Sequence, residues 1–248
     1  MTDQITYNSS QNDAFVMIQD RKLIVQDLGL LPYGLVWQHQ KAMVSARKQN
    51  PQLSDALILT EHNPVYTLGT GSQTKFVHFD LTNPTYEVHR TERGGEVTYH
   101  CPGQLIGYPI LNLGHHHKDL HWYLRQLEDV IIQTLAHYKL HGQRIKGLTG
   151  VWVDNYKVAA IGIKVSRWIT MHGFALNICP DLSGFARITP CGIADRPVGS
   201  IAQFLPNISI DEVKPILIKE FTQAFNLLAT DVVAPATALG NYTYDIKI

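Results

Sequence analysis

The sequence predicts a single α/β (α+β) domain, built as a mixed β-sheet with flanking helices, and three observations carry that prediction. Short apolar runs of strand length recur along the chain, two longer stretches read as helices, and successive β-branched segments near residue 155 sit close enough to pair as a hairpin. No repeat, low-complexity tract or Pro/Ser-rich linker interrupts the 248 residues, a length that suits one sizeable core.

The elements follow in order. Residues 1–20 begin with turn formers such as Thr2, Asp3, Asn8, Ser9 and Asn12, and predict a flexible N-terminal extension ahead of one domain over 21–248. Residues 23–27 read as a strand. Pro32 then opens a helical segment to about Gln49, closed by Asn50-Pro51. Residues 56–60 and 65–68 are short apolar runs bounded by polar residues, as buried strands are. The most helical stretch is 119–138, where Leu120, Leu124, Leu127, Ile131 and Leu135 fall on one face and Asp119 occupies the N-cap. Residues 151–154, 157–165 and 172–178 read as three successive strands, with a turn at Asp154-Asn155. A last helix is predicted over 211–228, with Ser209 and Glu212 at capping-box spacing and Pro215 leaving its start open.

Composition narrows the function classes. Apolar residues make up 45% and charged residues 17%, which describes a folded globular chain. Lys plus Arg equals Asp plus Glu at 21 each, so no cationic surplus exists to neutralise a phosphate backbone, and no nucleic-acid partner is expected. The three cysteines, Cys101, Cys179 and Cys191, form no Cys-x-x-Cys pair, so neither a structural metal nor a disulfide framework is implied. The N-terminus has no signal-peptide pattern, and no apolar run approaches the about 18 residues of a membrane span. The cytoplasm is expected, with no membrane partner.

Three constellations could carry chemistry. The densest is 93–104, in which paired glycines allow close backbone approach and Arg, Thr, Tyr, His and Gln side chains could orient a ligand. The competing reading is a loop with turn glycines and a satisfied histidine. The second is Pro190-Cys191-Gly192, where a cysteine sits between a rigid and a flexible residue. Taken alone, a single cysteine is more often a small buried hydrophobe. The third is Lys157, at the entry to an apolar strand that also holds Lys164. Their odd spacing puts them on opposite faces of an unbroken strand, so at most one serves a given cleft. His115, His116, His117 and His121 read as a solvated loop, and Gly69-Thr70-Gly71 as a turn without phosphate-loop spacing.

Four segments together resemble the lipoyl(octanoyl) transferase family: Arg-Gly-Gly-x-Val-Thr-Tyr-His at 93–100, Lys-x-Ala-x-x-Gly at 157–162, His-Gly-Phe-Ala-Leu-Asn at 172–177, and Pro-Cys-Gly at 190–192. The resemblance spans about residues 23–225 and implies a fold like that of lipoate and biotin protein ligases, making 21–248 a single catalytic acyltransferase domain. It implies transfer of octanoyl from octanoyl-acyl carrier protein to a lysine of lipoyl domains, those of 2-oxo-acid dehydrogenase E2 subunits and of the glycine-cleavage H protein. No cofactor is implied, since the donor is already a thioester. The family's thioester-forming cysteine falls on Cys191 and its pKa-lowering lysine on Lys157. Its substrate-contacting segments fall on Arg93, Gly94, Gly95, Glu96, Val97, Thr98, Tyr99 and His100, on Ala160, Ile161 and Gly162, and on Gly173, Phe174 and Ala175. An ATP-dependent lipoate ligase of the same fold and a non-catalytic carrier-binding protein are the alternatives.

One residue departs from the family pattern: Cys101 stands where relatives carry glycine in His-Gly-Pro-Gly-Gln. A positive φ there would cost a cysteine roughly 1–2 kcal/mol. It also brings a second thiol beside the expected pocket.

Overall fold

A computed structural model describes residues 21–190 and 196–230. Its main sheet has eight strands: β1 (Arg21–Leu31), β2 (Asp55–His62), β6 (Gln104–Ile110), β7 (Gly142–Gln143), β8 (Val151–Val153), β9 (Tyr156–Ser166), β10 (Ile169–Asn177) and β11 (Leu227–Ala229). They are ordered β11-β1-β2-β6-β10-β9-β8-β7. β1 runs parallel to both β2 and β11, and the other neighbours are antiparallel. A second sheet orders β4 (Val88–Arg90), β3 (Val65–Leu68) and β5 (Val97–His100) side by side. The mixed sheet is therefore as the sequence predicts.

Helices cover both faces of the large sheet. Helix α1 (Tyr33–Gln49) packs on one face, where Tyr33, Val36 and Val44 meet Ile58, Ile106, Tyr108, Met171 and Ala175. Helices α2 (Leu120–His137) and α3 (Ile210–Phe225) pack on the other. There Leu127, Val130, Ile131 and Leu135 meet Val213, Leu217, Phe221 and Phe225, all at three- and four-residue spacing. Of the stripe read from the sequence, Leu127, Ile131 and Leu135 are buried, whereas Leu124 is half-buried and Leu120 at the helix start is exposed. No helix among the described residues is long and apolar enough to cross a membrane.

Local chemistry fixes the helix ends. The Asp119 side chain accepts from the amides of His121 and Trp122. The Ser209 hydroxyl accepts from Glu212 N while Glu212 Oε2 accepts from Ser209 N, so the helix starts at Ile210 despite Pro215. Pro215 faces solvent, where the carbonyl it leaves without a donor can bond to water. The helix stops at Phe225, earlier than predicted, because Asn226 turns into the left-handed region (φ 50°) and releases the chain into β11.

One competing reading and one expectation need correction. Residues 97–100 are strand β5 and not part of a loop, with alternating side chains on opposite sides. His116 is not solvated: its side chain is 6% exposed and its Nε2 lies 2.7 Å from Asp55 Oδ2. Removing the Ser209 cap by Ser209→Ala is expected to cost about 1 kcal/mol. Urea unfolding should show a lower midpoint with an unchanged slope.

Candidate active site

A cavity of about 260 Å³ opens where the α1 face of the large sheet meets the small sheet. That is close to the lower end of the roughly 300–1,000 Å³ usual for small-ligand sites. Its floor is the β9–β10 ladder, with Ala160 opposite Ala175 and Gly162 opposite Gly173. Ile106 and Tyr108 of β6 extend the floor, and Ile161 and Phe174, which pack in the core of the opposite face, border it too. One wall is Arg93, Gly94, Gly95 and Glu96 followed by Thr98 and His100, and the other is Gly147, Leu148 and Thr149. Tyr33 and His172 complete the lining.

The first wall is held against the floor by direct backbone contact. Gly94 N donates to Ile163 O at 2.9 Å. A Cβ on Gly162 would lie 2.9 Å from Gly94 O, so only glycine allows the approach. Arg93 is buried and binds neighbouring main chain: its guanidinium donates to Thr67 O (2.6 Å), Glu96 O (2.7 Å), Gly94 O (3.0 Å) and the Thr67 hydroxyl (3.0 and 3.1 Å). It shapes the wall.

Strand alternation divides the 93–100 segment. Thr98 and His100 face the cavity, whereas Val97 and Tyr99 pack with Tyr66, Leu68 and Ile188 on the far side. Val97 and Tyr99 are therefore not brought to the cavity. Cys101 belongs to the same far cluster, buried, with its thiol 3.4 Å from Asp181 O. Burial pushes that thiol up to about 11, which makes it a poor nucleophile. The left-handed turn falls on Gly103 (φ 89°), two residues later, so Cys101 carries no such strain.

His100 and His172 line the cavity, and His62 lies behind it against the lining residue Tyr108; burial favours the neutral form of all three. His62 Nδ1 donates to Leu31 O (2.8 Å), leaving Nε2 to accept from the Tyr108 hydroxyl (2.8 Å). His100 Nδ1 donates to Gln104 Oε1 (3.1 Å), whose amide nitrogen is committed to Tyr99 O (3.1 Å). Burial is the main cause that lowers His62 to about 4 and His100 to about 3, and for His100 the nearby Arg93 guanidinium adds to it. His172 is lowered by burial too, and its Nε2 lies 3.7 Å from Glu92 Oε2. It sits at φ 59° with its amide donating to Gln40 Oε1 (2.9 Å), an uncommon conformation that gathers at functional sites.

Lys157 lines the cavity, while Lys164 is exposed and does not. The parity argument that separated them fails, however, because β9 is not regular. Val151 pairs with Ala159 but Trp152 with Lys157, which leaves Val158 without a partner. Val158 and Ala159 consequently both enter the core on the α2–α3 face. This bulge turns Lys157 to the cavity side, the same face as Lys164, whose cross-strand partner Met171 packs under α1. Distance along the strand separates the two lysines. The Lys157 ammonium lies 5.1 Å from the Trp152 ring centroid. Lys157 also shares a small void with Pro190, Val198 and Phe185. Cys191 lies outside the described residues.

Residues that sequence reasoning did not name also line the cavity: Tyr33, Ile106, Tyr108, Gly147, Leu148, Thr149 and His172. His172 stood in a quoted motif, and the glycines flanking Leu148-Thr149 were a visible signal. The others reach the cavity only through the fold. Among the described residues no group of His, Cys, Asp or Glu could hold a metal ion.

Comparison with known proteins agrees with this architecture. The lipoyl protein ligase A/B catalytic domain family matches residues 32–222. The chain belongs to this family. It is 62% identical over 197 residues to the octanoyltransferase of Synechocystis sp., covering 79% of this chain and 87% of that one. It is 57% identical over 212 residues to the octanoyltransferase of Nostoc sp., covering 86% and 96%. Both relatives are acyltransferases, and this chain is an enzyme of that class. Among solved structures, a lipoate-protein ligase A bound with ATP superposes with a TM-score of 0.71 at 16% identity, covering 89% of this chain and 91% of that one. At that identity the likeness concerns the fold.

The neutral imidazoles make the site acid-sensitive. Each histidine titrates near 6.5 unfolded but near 4 or 3 folded, so the unfolded chain binds more protons in between. Stability is therefore full above about pH 6.5 and falls as pH drops toward the folded values. Urea unfolding at a series of pH values should show this slope, and His62→Gln with His100→Gln should flatten it.

Proposed function

We propose that this chain transfers an octanoyl group from octanoyl-acyl carrier protein to a lysine of lipoyl domains, through a thioester on Cys191. One observation carries the reading: Lys157 stands at the edge of a largely apolar cavity, beside a void that it shares with Pro190, the residue bonded to Cys191. The octanoyltransferase relatives supply the acyl group and the reaction class. The acceptors are the lipoyl domains of 2-oxo-acid dehydrogenase E2 subunits and of the glycine-cleavage H protein, within one catalytic domain that begins near residue 21. Cys101 and Cys179 are unpaired, in keeping with a reducing cytoplasm.

The chemistry follows from the thiol. At its ordinary pKa near 8.5 a cysteine is only a few per cent thiolate at pH 7. The Lys157 ammonium favours the anion, and a drop of about two units, worth about 2.7 kcal/mol, makes most of it reactive. The Cys191 thiolate adds to the thioester carbonyl of the donor. The C–S bond to the carrier breaks, and the carrier thiolate leaves with the proton of the Lys157 ammonium, which becomes a neutral amine. The acceptor amine then adds to the enzyme thioester, the C–S bond to Cys191 breaks, and Lys157 in its neutral form accepts the proton that the amine loses. Lys157 as ammonium also stabilises the oxyanion of either tetrahedral intermediate. Arg93, Gly94, Gly95, Glu96, Thr98 and His100 hold one side of the acyl chain. Ala160, Ile161, Gly162, Gly173, Phe174 and Ala175 hold the other. Burial contributes about 0.8 kcal/mol per methylene.

Incubation with octanoyl-acyl carrier protein and no ATP is expected to add one octanoyl mass to the enzyme and then to pass it to a lipoyl domain. Cys191→Ser should abolish the adduct and Cys101→Ser should keep it. An adduct that survives Cys191→Ser, or transfer that requires ATP, would overturn the reading.

A further inference from the structure

The wall formed by Gly147, Leu148 and Thr149 is anchored from below by a carboxylate with no part in the chemistry above. Glu128 of α2 is fully buried. Its Oε2 accepts from Arg125 Nη1 (2.6 Å) and from Arg144 Nε (2.8 Å), and its Oε1 accepts from Gly150 N (3.1 Å). Arg144 and Gly150 bracket the wall, so one side chain ties both of its ends to the helix. Arg144 is tied further by Asp129 Oδ1 and Arg125 O. Each of the two arginines keeps part of its side chain in water, so Glu128 is the desolvated member of the group.

Gly150 connects this anchor to the site. A Cβ there would lie 2.7 Å from Lys157 Cε, 3.4 Å from Lys157 Nζ and 2.6 Å from Ala159 O. The bare α-carbon of Gly150 is thus the surface against which the end of the lysine rests. The Trp152 ring lies on another side of it. The Lys157 main chain is fixed as well, by hydrogen bonds to Pro197 O (2.9 Å) and from Gly199 N (3.0 Å). With the backbone held, the direction of the four-carbon stem depends on what the side chain packs against. Gly150 limits that direction, and Glu128 holds Gly150 in place.

The geometry points to Glu128 as a positioning residue for Lys157: by fixing the Gly150 amide it confines the ammonium to the edge of the cavity. This rests on the reading that Lys157 lowers the pKa of Cys191. The sign of the effect separates positioning from a simple field. A buried anion acting through space would disfavour the thiolate, so neutralising it would lower the thiol pKa. Loss of positioning moves the ammonium away and raises it.

The test is the pH dependence of Cys191 alkylation by iodoacetamide in the full chain, resolved by peptide mass spectrometry, with circular dichroism melting to verify folding. Glu128→Gln is expected to raise the midpoint by about one unit, roughly half of the lysine's effect. The same substitution in a Lys157→Ala background is expected to move it by less than about 0.3 unit. If Glu128→Gln does not fold, Arg144→Gln carries the same test, because it frees the start of the wall at a part-exposed position. An unchanged midpoint, a downward shift, or an equal shift in both backgrounds overturns the inference. Should Lys157→Ala alone leave the midpoint in place, the role given to Lys157 falls first, and that outcome is read from a separate variant.

Discussion

One extra residue in β9 determines which groups meet in the cavity. Regular alternation would send Lys157 toward α2 and α3, into a core of Leu, Val, Ile and Phe where a charge has no partner. The bulge at Val158 avoids this by placing Val158 and Ala159 in that core together. Lys157 then faces the cavity without disturbing the register of Ala160 with Ala175 and Gly162 with Gly173. Bulges beside active sites commonly re-aim a side chain in this way. The floor stays regular from Ala160 to Gly162 and becomes irregular only at its Lys157 end.

The rest of the cavity is largely apolar, and most of the polar groups set into or behind its walls are already engaged. Arg93 directs its guanidinium to carbonyls and a hydroxyl, His62 and His100 are held uncharged, and Tyr108 donates to an imidazole. Most of these polar groups already have partners. An apolar chain entering such a site displaces water without stripping hydrogen bonds from the wall, which is the costly event when polar groups are buried. Lys157 borders the cavity beside the β9 bulge and shares a small void with Pro190.

Much of this architecture was legible in the sequence, and the reasons it stopped being legible are physical. Helix α2 could be read because burial imposes a period on its apolar residues. The Ser209–Glu212 box could be read because its spacing is set by helix geometry. Motif resemblance brought most of the cavity residues together, yet it could not say that Val97 and Tyr99 face away, since that required recognising β5 as a strand. The same limit applied to Lys157 and Lys164: parity is a sound rule for an unbroken strand, and a bulge leaves no signature in the residues Lys157-Val158-Ala159. Tyr33, Ile106 and Tyr108 come from α1 and β6, far away in sequence, and only the packing of layers delivers them. For Cys101 the expected strain is absent because the left-handed residue is Gly103.

The parallel pairing of β11 with β1 bears on how the molecule is made. Arg21 pairs with Leu227 and Leu23 with Ala229, so the start of the first described strand is covered on its outer edge by the last. During synthesis β1 can find β2 early, but its other edge keeps a row of open amides and carbonyls until α3 and β11 have left the ribosome. An open edge of this kind is a template for pairing with other chains. Contacts between such distant segments are also slow to form. The start of β1 therefore stays open to other chains until late in synthesis, when the three residues after Asn226 cover it.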